Sequence, residues 1–199
     1  MTAVRSNKGG VTVTAANGSR IHCGHLVFAT GYELPDGVPR RYHKINSTWA
    51  LATVAQKRQR LWPGECCIWE ASDPYLYIRT TSEGRVVCGG GDEGIADETR
   101  RDALLSRKTK MLQRKLHRLL PKLDMTVEFA WTGTFGETKT GLPIIGPLPD
   151  MPRCWIALGY GGNGTTYAAI AADVIAGAIG GRPDLDADLY EFPGHQKAD

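Results

Sequence analysis

Ala157-Leu158-Gly159-Tyr160-Gly161-Gly162-Asn163-Gly164-Thr165-Thr166, running into residues 167–179, decides how the rest of the chain is read. Trp155-Ile156-Ala157-Leu158 reads as a short buried strand. Four glycines follow within six residues, and then a small-residue helical run: Ala168, Ala169, Ala171, Ala172, Val174, Ile175, Ala176, Ala178 and Ile179. A strand that turns through glycines into a helix presents backbone N–H groups and the positive end of a helix dipole. Missing side chains let a ligand come close to the backbone. The alanines let the helix lie tight against a sheet. This arrangement suits an anionic or electron-accepting cofactor at the helix start. It equally suits a plain glycine turn ahead of a packed helix, and the stretch alone leaves both readings open.

The spacing is not that of a phosphate loop, which needs Lys and then Ser or Thr after its last glycine; here Thr165-Thr166 follow Gly164. Gly159, Gly161 and Gly164 do fit G-x-G-x-x-G. The dinucleotide fingerprint also needs a further strand and an acidic residue about 20 positions on. Instead, Gly180-Gly181-Arg182-Pro183 ends the helix.

Upstream stands Trp131-Thr132-Gly133-Thr134-Phe135-Gly136-Glu137-Thr138-Lys139-Thr140-Gly141-Leu142-Pro143-Ile144-Ile145-Gly146-Pro147. Read with G-Y-G-G-N-G-T, it resembles the C-terminal half of the D-amino-acid oxidase and glycine oxidase superfamily of FAD-dependent oxidoreductases. Asp73-Pro74-Tyr75-Leu76-Tyr77-Ile78-Arg79 and Gly84-Arg85-Val86-Val87-Cys88-Gly89-Gly90 are similar to the family's substrate-domain strands. Val27-Phe28-Ala29-Thr30-Gly31-Tyr32 is similar to its A-T-G segment. The resemblance spans residues 20–192.

The resemblance implies oxidation of a small amine or amino-acid-like substrate by hydride transfer to flavin, with oxygen or another acceptor taking the electrons on. It places Thr30, Gly31, Gly133, Gly159, Tyr160, Gly161, Gly162, Asn163, Gly164 and Thr165 at the FAD. Gly133 aligns with the Cys that holds FAD covalently in some relatives, so the flavin is expected to be non-covalent. Amino-acid-oxidising members carry Arg at the position of Phe135, and glycine oxidases a second Arg near Gly162. Without a bidentate carboxylate clamp, simple α-amino acids are expected to be poor substrates, and an amine is expected to pack on Phe135. Arg79 is the nearest replacement cation and Lys139 a poorer one. Tyr75, Tyr77 and Arg79 alternate on a strand and either face the substrate or pack the sheet. The family's N-terminal G-x-G-x-x-G unit is missing from the chain. The expectation is a fragment or split subunit that binds FAD weakly by itself, with a separate chain carrying the missing unit. The competing expectation is a cofactor-free remnant or docking module without activity.

Composition sets outer bounds. The 199 residues are 42% hydrophobic and 23% charged, as in a soluble globular protein. A net charge of only +3 does not point to nucleic acid, and no nucleic-acid partner is expected. No apolar run reaches a membrane span, and the N-terminus lacks a signal-peptide core, so the expected location is cytoplasmic. Five cysteines with no C-x-x-C argue against a disulfide framework and a zinc site. Cys66-Cys67 are expected to point to opposite faces of a strand. His22 and His25 lack a third ligand, so no metal is expected; His43, His117 and His195 read as isolated structural or surface residues.

Along the chain, Val11-Thr12-Val13-Thr14 and Arg20-Ile21-His22-Cys23 flank Asn17-Gly18, a hairpin signal. Leu26-Val27-Phe28-Ala29 reads as a strand buried on both faces, and the Thr30-Gly31 turn at its carboxyl end either meets the cofactor or is a plain exit. Pro35-Asp36-Gly37-Val38-Pro39 reads as a boundary loop. Residues 49–55, 65–70, 75–80 and 85–89 read as successive antiparallel strands. Gly89-Gly90-Gly91-Asp92-Glu93-Gly94 reads as a turn. Residues 97–120 read as one amphipathic helix whose basic face, Lys108 included, is solvated or binds nucleic acid or acidic lipid. Residues 125–131 read as a strand and 132–146 as a loop. The expected fold is α+β. A long-helix, antiparallel substrate domain (residues 32–140) is flanked by two pieces of an FAD-binding, Rossmann-like domain (residues 1–31 and 141–181). A tail, residues 182–199, closes the chain.

Overall fold

The computed structural model describes residues 1–34, 36, 38 and 40–193. Pro35, Gly37 and Pro39 of the boundary loop, and His195 with the end of the tail, lie outside the described residues. In chain order the elements are β1 (Ala3–Asn7), β2 (Gly10–Thr14), β3 (Arg20–Cys23), β4 (Leu26–Phe28), β5 (Lys44–Thr53), β6 (Ile68–Trp69), β7 (Leu76–Thr80), β8 (Val86–Glu93), α1 (Glu98–Ala103), α2 (Leu105–Leu119), β9 (Val127–Glu137), β10 (Ile144–Pro147), β11 (Cys154–Leu158) and α3 (Gly164–Ile179). The fold is α+β with mainly antiparallel sheets. The backbone divides into two compact units, Met1–Lys44 with Phe135–Asp199, and Ile45–Thr134.

The first unit holds two three-stranded sheets. One is the meander β1-β2-β3. Its second hairpin turns at Asn17-Gly18, where Gly18 takes φ +83° and the Asn17 side chain accepts the Ser19 N–H at 3.0 Å. β1 carried no clear signal of its own. The other sheet has the order β10-β11-β4; β10 runs antiparallel to β11, whereas β4 runs parallel to it, with Leu26 opposite Cys154 and Phe28 opposite Ile156. Its apolar side chains, Phe28, Ile144, Ile156 and Leu158, join Val11 and Phe192 in one core. α3 packs on this sheet through Ala171, Val174 and Ile175 against Ile145. The helix stops in a Schellman arrangement, with Arg182 N–H to the Gly177 carbonyl at 2.8 Å and Gly181 N–H to that of Ala178 at 3.2 Å. β4 is three residues long, and Val27 is 44% exposed, because β4 ends the sheet beyond β10 and β11, the strands on which α3 packs. The expectation of burial on both faces does not hold.

The second unit is a five-stranded sheet in the order β6-β7-β8-β5-β9, antiparallel along β6–β7, β7–β8 and β8–β5. α2 covers it, and Leu112 and Leu116 join Trp49, Leu51, Ile78, Val86 and Cys88 in the core. Burial pushes the Cys88 thiol up to about 12.

Several expectations change here. Residues 89–93 are not a turn but the second half of β8: Gly89 pairs with Tyr77 and Gly90 with Leu76. Glycine is needed there for room, since a Cβ on Gly89 would lie 2.2 Å from the Tyr77 ring, and one on Gly90 would lie 2.1 Å from the Tyr75 carbonyl oxygen. The expected single helix breaks at Leu104 into α1 and α2. Lys108 does not face solvent. It is 6% exposed, donates to the Gly91 carbonyl and to Glu93 at 2.7 Å, and sits 4.2 Å over the Trp49 ring. A helical wheel that counts lysine as polar cannot foresee a carbonyl and a carboxylate waiting inside. The expected 132–146 loop is mostly strand, because β9 continues to Glu137 and β10 begins at Ile144. Of the expected 65–70 strand only Ile68–Trp69 forms, since Pro63–Glu65 makes a 3-10 turn. Cys66 and Cys67 therefore lie ahead of that strand, both exposed.

Candidate functional site

Parallel pairing of β4 and β11 brings their carboxyl ends to one edge of the sheet, the place where ligands bind in open α/β sheets. Ala29-Thr30-Gly31 leaves β4 there, and the 159–163 turn leaves β11. The two turns adjoin: a Cβ on Gly31 would lie 3.6 Å from the Tyr160 hydroxyl. Thr30 is tied locally, its hydroxyl donating to the Glu33 carbonyl.

Within the glycine turn the residues differ in what requires glycine. Gly159 (φ +71°) and Gly161 (φ +55°) occupy the left-handed region, whereas Gly162 and Gly164 do not. A Cβ on Gly159 would lie 2.5 Å from the Thr138 methyl; one on Gly161 would meet nothing within 4 Å. The turn is pinned to β9, because the Gly161 N–H donates to the Gly136 carbonyl at 2.9 Å and Tyr160 bridges Glu137. That N–H is therefore used within the protein. The N–H groups without intrahelical partners are those of Gly164, Thr165 and Thr166 at the start of α3, and Asn163 supplies no side-chain cap for them. No Asp or Glu occurs from 159 to 166. Open space at Gly161, uncapped N–H groups and the positive dipole end fit an anionic ring edge, so these residues fit a flavin.

Phe135 is half-buried on β9, directly ahead of the Gly136 that anchors the turn. Gly133 lies two residues earlier, where a Cβ would meet the Thr48 methyl at 3.3 Å. Tyr75, Tyr77 and Arg79 belong to the second unit. Tyr77 is half-buried with its ring over Gly89, and burial, then the nearby Asp92, raises its hydroxyl above the ordinary tyrosine value. Tyr75 precedes β7 and stands 5.9 Å from the Trp69 ring. Arg79 is exposed and donates to the Thr80 carbonyl at 3.4 Å.

His43, which reads as isolated in the sequence, sits against both glycine motifs. A Cβ on Gly136 would lie 2.8 Å from its Cδ2, and one on Gly159 would lie 3.8 Å from its Cβ. Its Nε2 meets the Tyr32 carbonyl at 3.3 Å, and its Nδ1 is buried with no hydrogen-bond partner among the described residues. No spacing rule links residue 43 to residues 136 and 159, so only the fold could reveal this. Among the described residues, no group of three or more His, Cys, Asp or Glu could hold a metal ion, and no helix is long and apolar enough to cross a membrane.

Comparison with known proteins gives one consistent result. The DAO family, described as FAD dependent oxidoreductase, matches residues 1–178. The glycine oxidase of Bacillus licheniformis is 28% identical over 98% of this chain and 51% of its own length. The bifunctional tRNA 5-methylaminomethyl-2-thiouridine biosynthesis protein MnmC of Cupriavidus necator is 28% identical over 83% of this chain and 29% of its own length. Among solved structures, glycine oxidase from Geobacillus kaustophilus superposes with a TM-score of 0.69 at 16% identity, covering 96% of this chain and 51% of that one. L-proline dehydrogenase from P. horikoshii gives 0.71 at 19% identity, covering 96% and 52%. These superpositions show the fold. The chain spans about half the length, or less, of these relatives.

Proposed function

Because the chain belongs to the DAO family of FAD dependent oxidoreductases, we propose that it builds the glycine-turn side of an FAD site and serves oxidation of a small amine or amino-acid-like substrate. The observation that carries the reading is the meeting of the β4 and β11 ends beside the uncapped start of α3. FAD, when bound, supplies the acceptor for a hydride from the carbon beside the substrate nitrogen. The chain's own residues bind and orient. The N–H groups of Gly164, Thr165 and Thr166 favour negative charge at the helix start. Gly161 leaves the approach open. Thr30 and Gly31 border the same edge, and Gly133 offers no thiol for covalent attachment.

Phe135 presents a ring where a guanidinium would pair a carboxylate. A carboxylate left unpaired in a dry site costs several kcal/mol. The proposed substrates therefore carry no carboxylate at Phe135, and an apolar part of the amine packs there. That the chain spans about half of its relatives supports one more element of the reading: sequence outside these residues, on this or another polypeptide, completes the flavin site.

The test has two stages. FAD is titrated calorimetrically into the wild type and Gly161→Val; binding that the variant loses while its circular dichroism is unchanged supports the reading. A wild-type chain that binds no FAD, even when supplied with the N-terminal half of a relative, points to a flavin-free docking role. In a holo-protein, anaerobic flavin reduction by glycine, D-alanine and sarcosine is then compared with reduction by amines lacking a carboxylate. The amines are expected to react faster.

A further inference from the structure

A recess of about 550 Å³ opens in the first unit, lined by Arg41, Tyr42, His43 and Lys44 on one side and by the 137–141 segment on the other. Its charge is lopsided. Arg41, Lys44 and Lys139 face a single carboxylate, Glu137, which already has a partner. Arg41 uses one N–H on the Tyr42 hydroxyl at 3.0 Å, leaving most of its five donors. Among the described residues the ammonium groups of Lys44 and Lys139 form no ion pair with a carboxylate, and both residues are exposed. The 137–141 wall is held in place: the Thr138 hydroxyl donates to the Leu142 carbonyl and lies 3.2 Å from the Thr140 hydroxyl, whose oxygen accepts the Leu142 N–H at 3.3 Å. Behind it, His43 carries the buried, unpartnered Nδ1 and leans on Gly136 and Gly159, so the recess adjoins the glycine turn.

We infer that this recess is an oxyanion subsite, taking a carboxylate or a phosphate through Arg41, Lys44 and Lys139. Unpaired cations around a concave, preformed wall supply charge-assisted hydrogen bonds to such a group. On the flavin reading above, on which this last assignment rests, the recess receives an anionic end of the substrate that Phe135 cannot pair. The substrate would then be an amine whose charge sits away from the reacting carbon.

Inorganic phosphate and acetate are each titrated into the full chain without flavin, followed by calorimetry and by backbone amide shifts of residues 139–141. Lys44→Gln with Lys139→Gln is compared with Lys110→Gln with Arg114→Gln on the exposed face of α2, which removes the same charge elsewhere. The recess variant is expected to lose about tenfold or more in affinity for the preferred anion, and the α2 variant almost nothing. Equal weakening in both variants, no weakening in the recess variant, or no binding of either anion by the wild type overturns the inference. The relative affinity of phosphate and acetate identifies the group. Since flavin is left out of the titration, failure of FAD to bind bears on the reading above and leaves the anion result standing.

Discussion

Two glycine clusters of similar composition meet different demands in this molecule. At 159–164 glycine is needed for conformation and opening: Gly159 and Gly161 take positive φ, and Gly161 faces open space. At 89–91 the neighbours have already filled the space at all three positions, and Gly90 and Gly91 take positive φ as well. The Tyr77 ring lies on Gly89, the Tyr75 carbonyl on Gly90, and the Met111 methyl comes within 2.5 Å of a Cβ on Gly91. One cluster leaves the backbone open at Gly161 and the other lets a strand be packed closely on both sides. Glycine content alone is therefore no evidence of a ligand turn: each cluster holds crowded positions, Gly159 against the Thr138 methyl as much as Gly91 against Met111, and it is Gly161 that combines a positive φ with open space.

The largest effect is expected from Gly90→Ala, which combines a φ of +130° with a clash against backbone. A loss of about 3 kcal/mol in urea unfolding is expected. Gly89→Ala should be rescued in part by Tyr77→Ala, because its obstacle is a side chain; a double-mutant cycle showing no coupling between the two would break the packing account. No side-chain truncation should rescue Gly90→Ala.

Lys108→Ala comes next. It strips the Gly91 carbonyl and Glu93 of their buried donor and is expected to cost about 2 kcal/mol, read from the same unfolding curves. The pair also fixes a pH dependence. The Lys108 hydrogen bond holds the Glu93 carboxyl below the ordinary glutamate value. A carboxyl lowered in the folded state contributes stability above its unfolded pKa, and that contribution is lost as pH falls through the folded value. Wild type should therefore lose stability on acidification more steeply than Glu93→Gln; parallel curves would show that the pair contributes nothing.

Gly161→Ala sharpens the other side of the comparison. With no atom to meet, its cost is only that of the left-handed backbone, about 1 kcal/mol. The fold should survive while FAD affinity drops. Unchanged affinity would make the turn purely structural. The smallest effect is expected at α1, where Asp97→Ala removes an exposed cap that accepts the Arg100 N–H at 2.6 Å, for about 0.5 kcal/mol by thermal unfolding.

The chain's own pattern determined the Asn17-Gly18 hairpin, the β11–turn–α3 unit and the order of motifs that carries the family resemblance, because each is local and has its own period or turn chemistry. Only the tertiary structure decided that Lys108 points inward, that 89–93 is strand, and that His43 stands between Gly136 and Gly159. The physical reason is shared. A lysine is buried when a carboxylate and a carbonyl await it, and a glycine run is strand when rings lie across it. A histidine reaches a site when residues more than ninety positions away fold against it, and none of these partners lies within the reach of a local pattern.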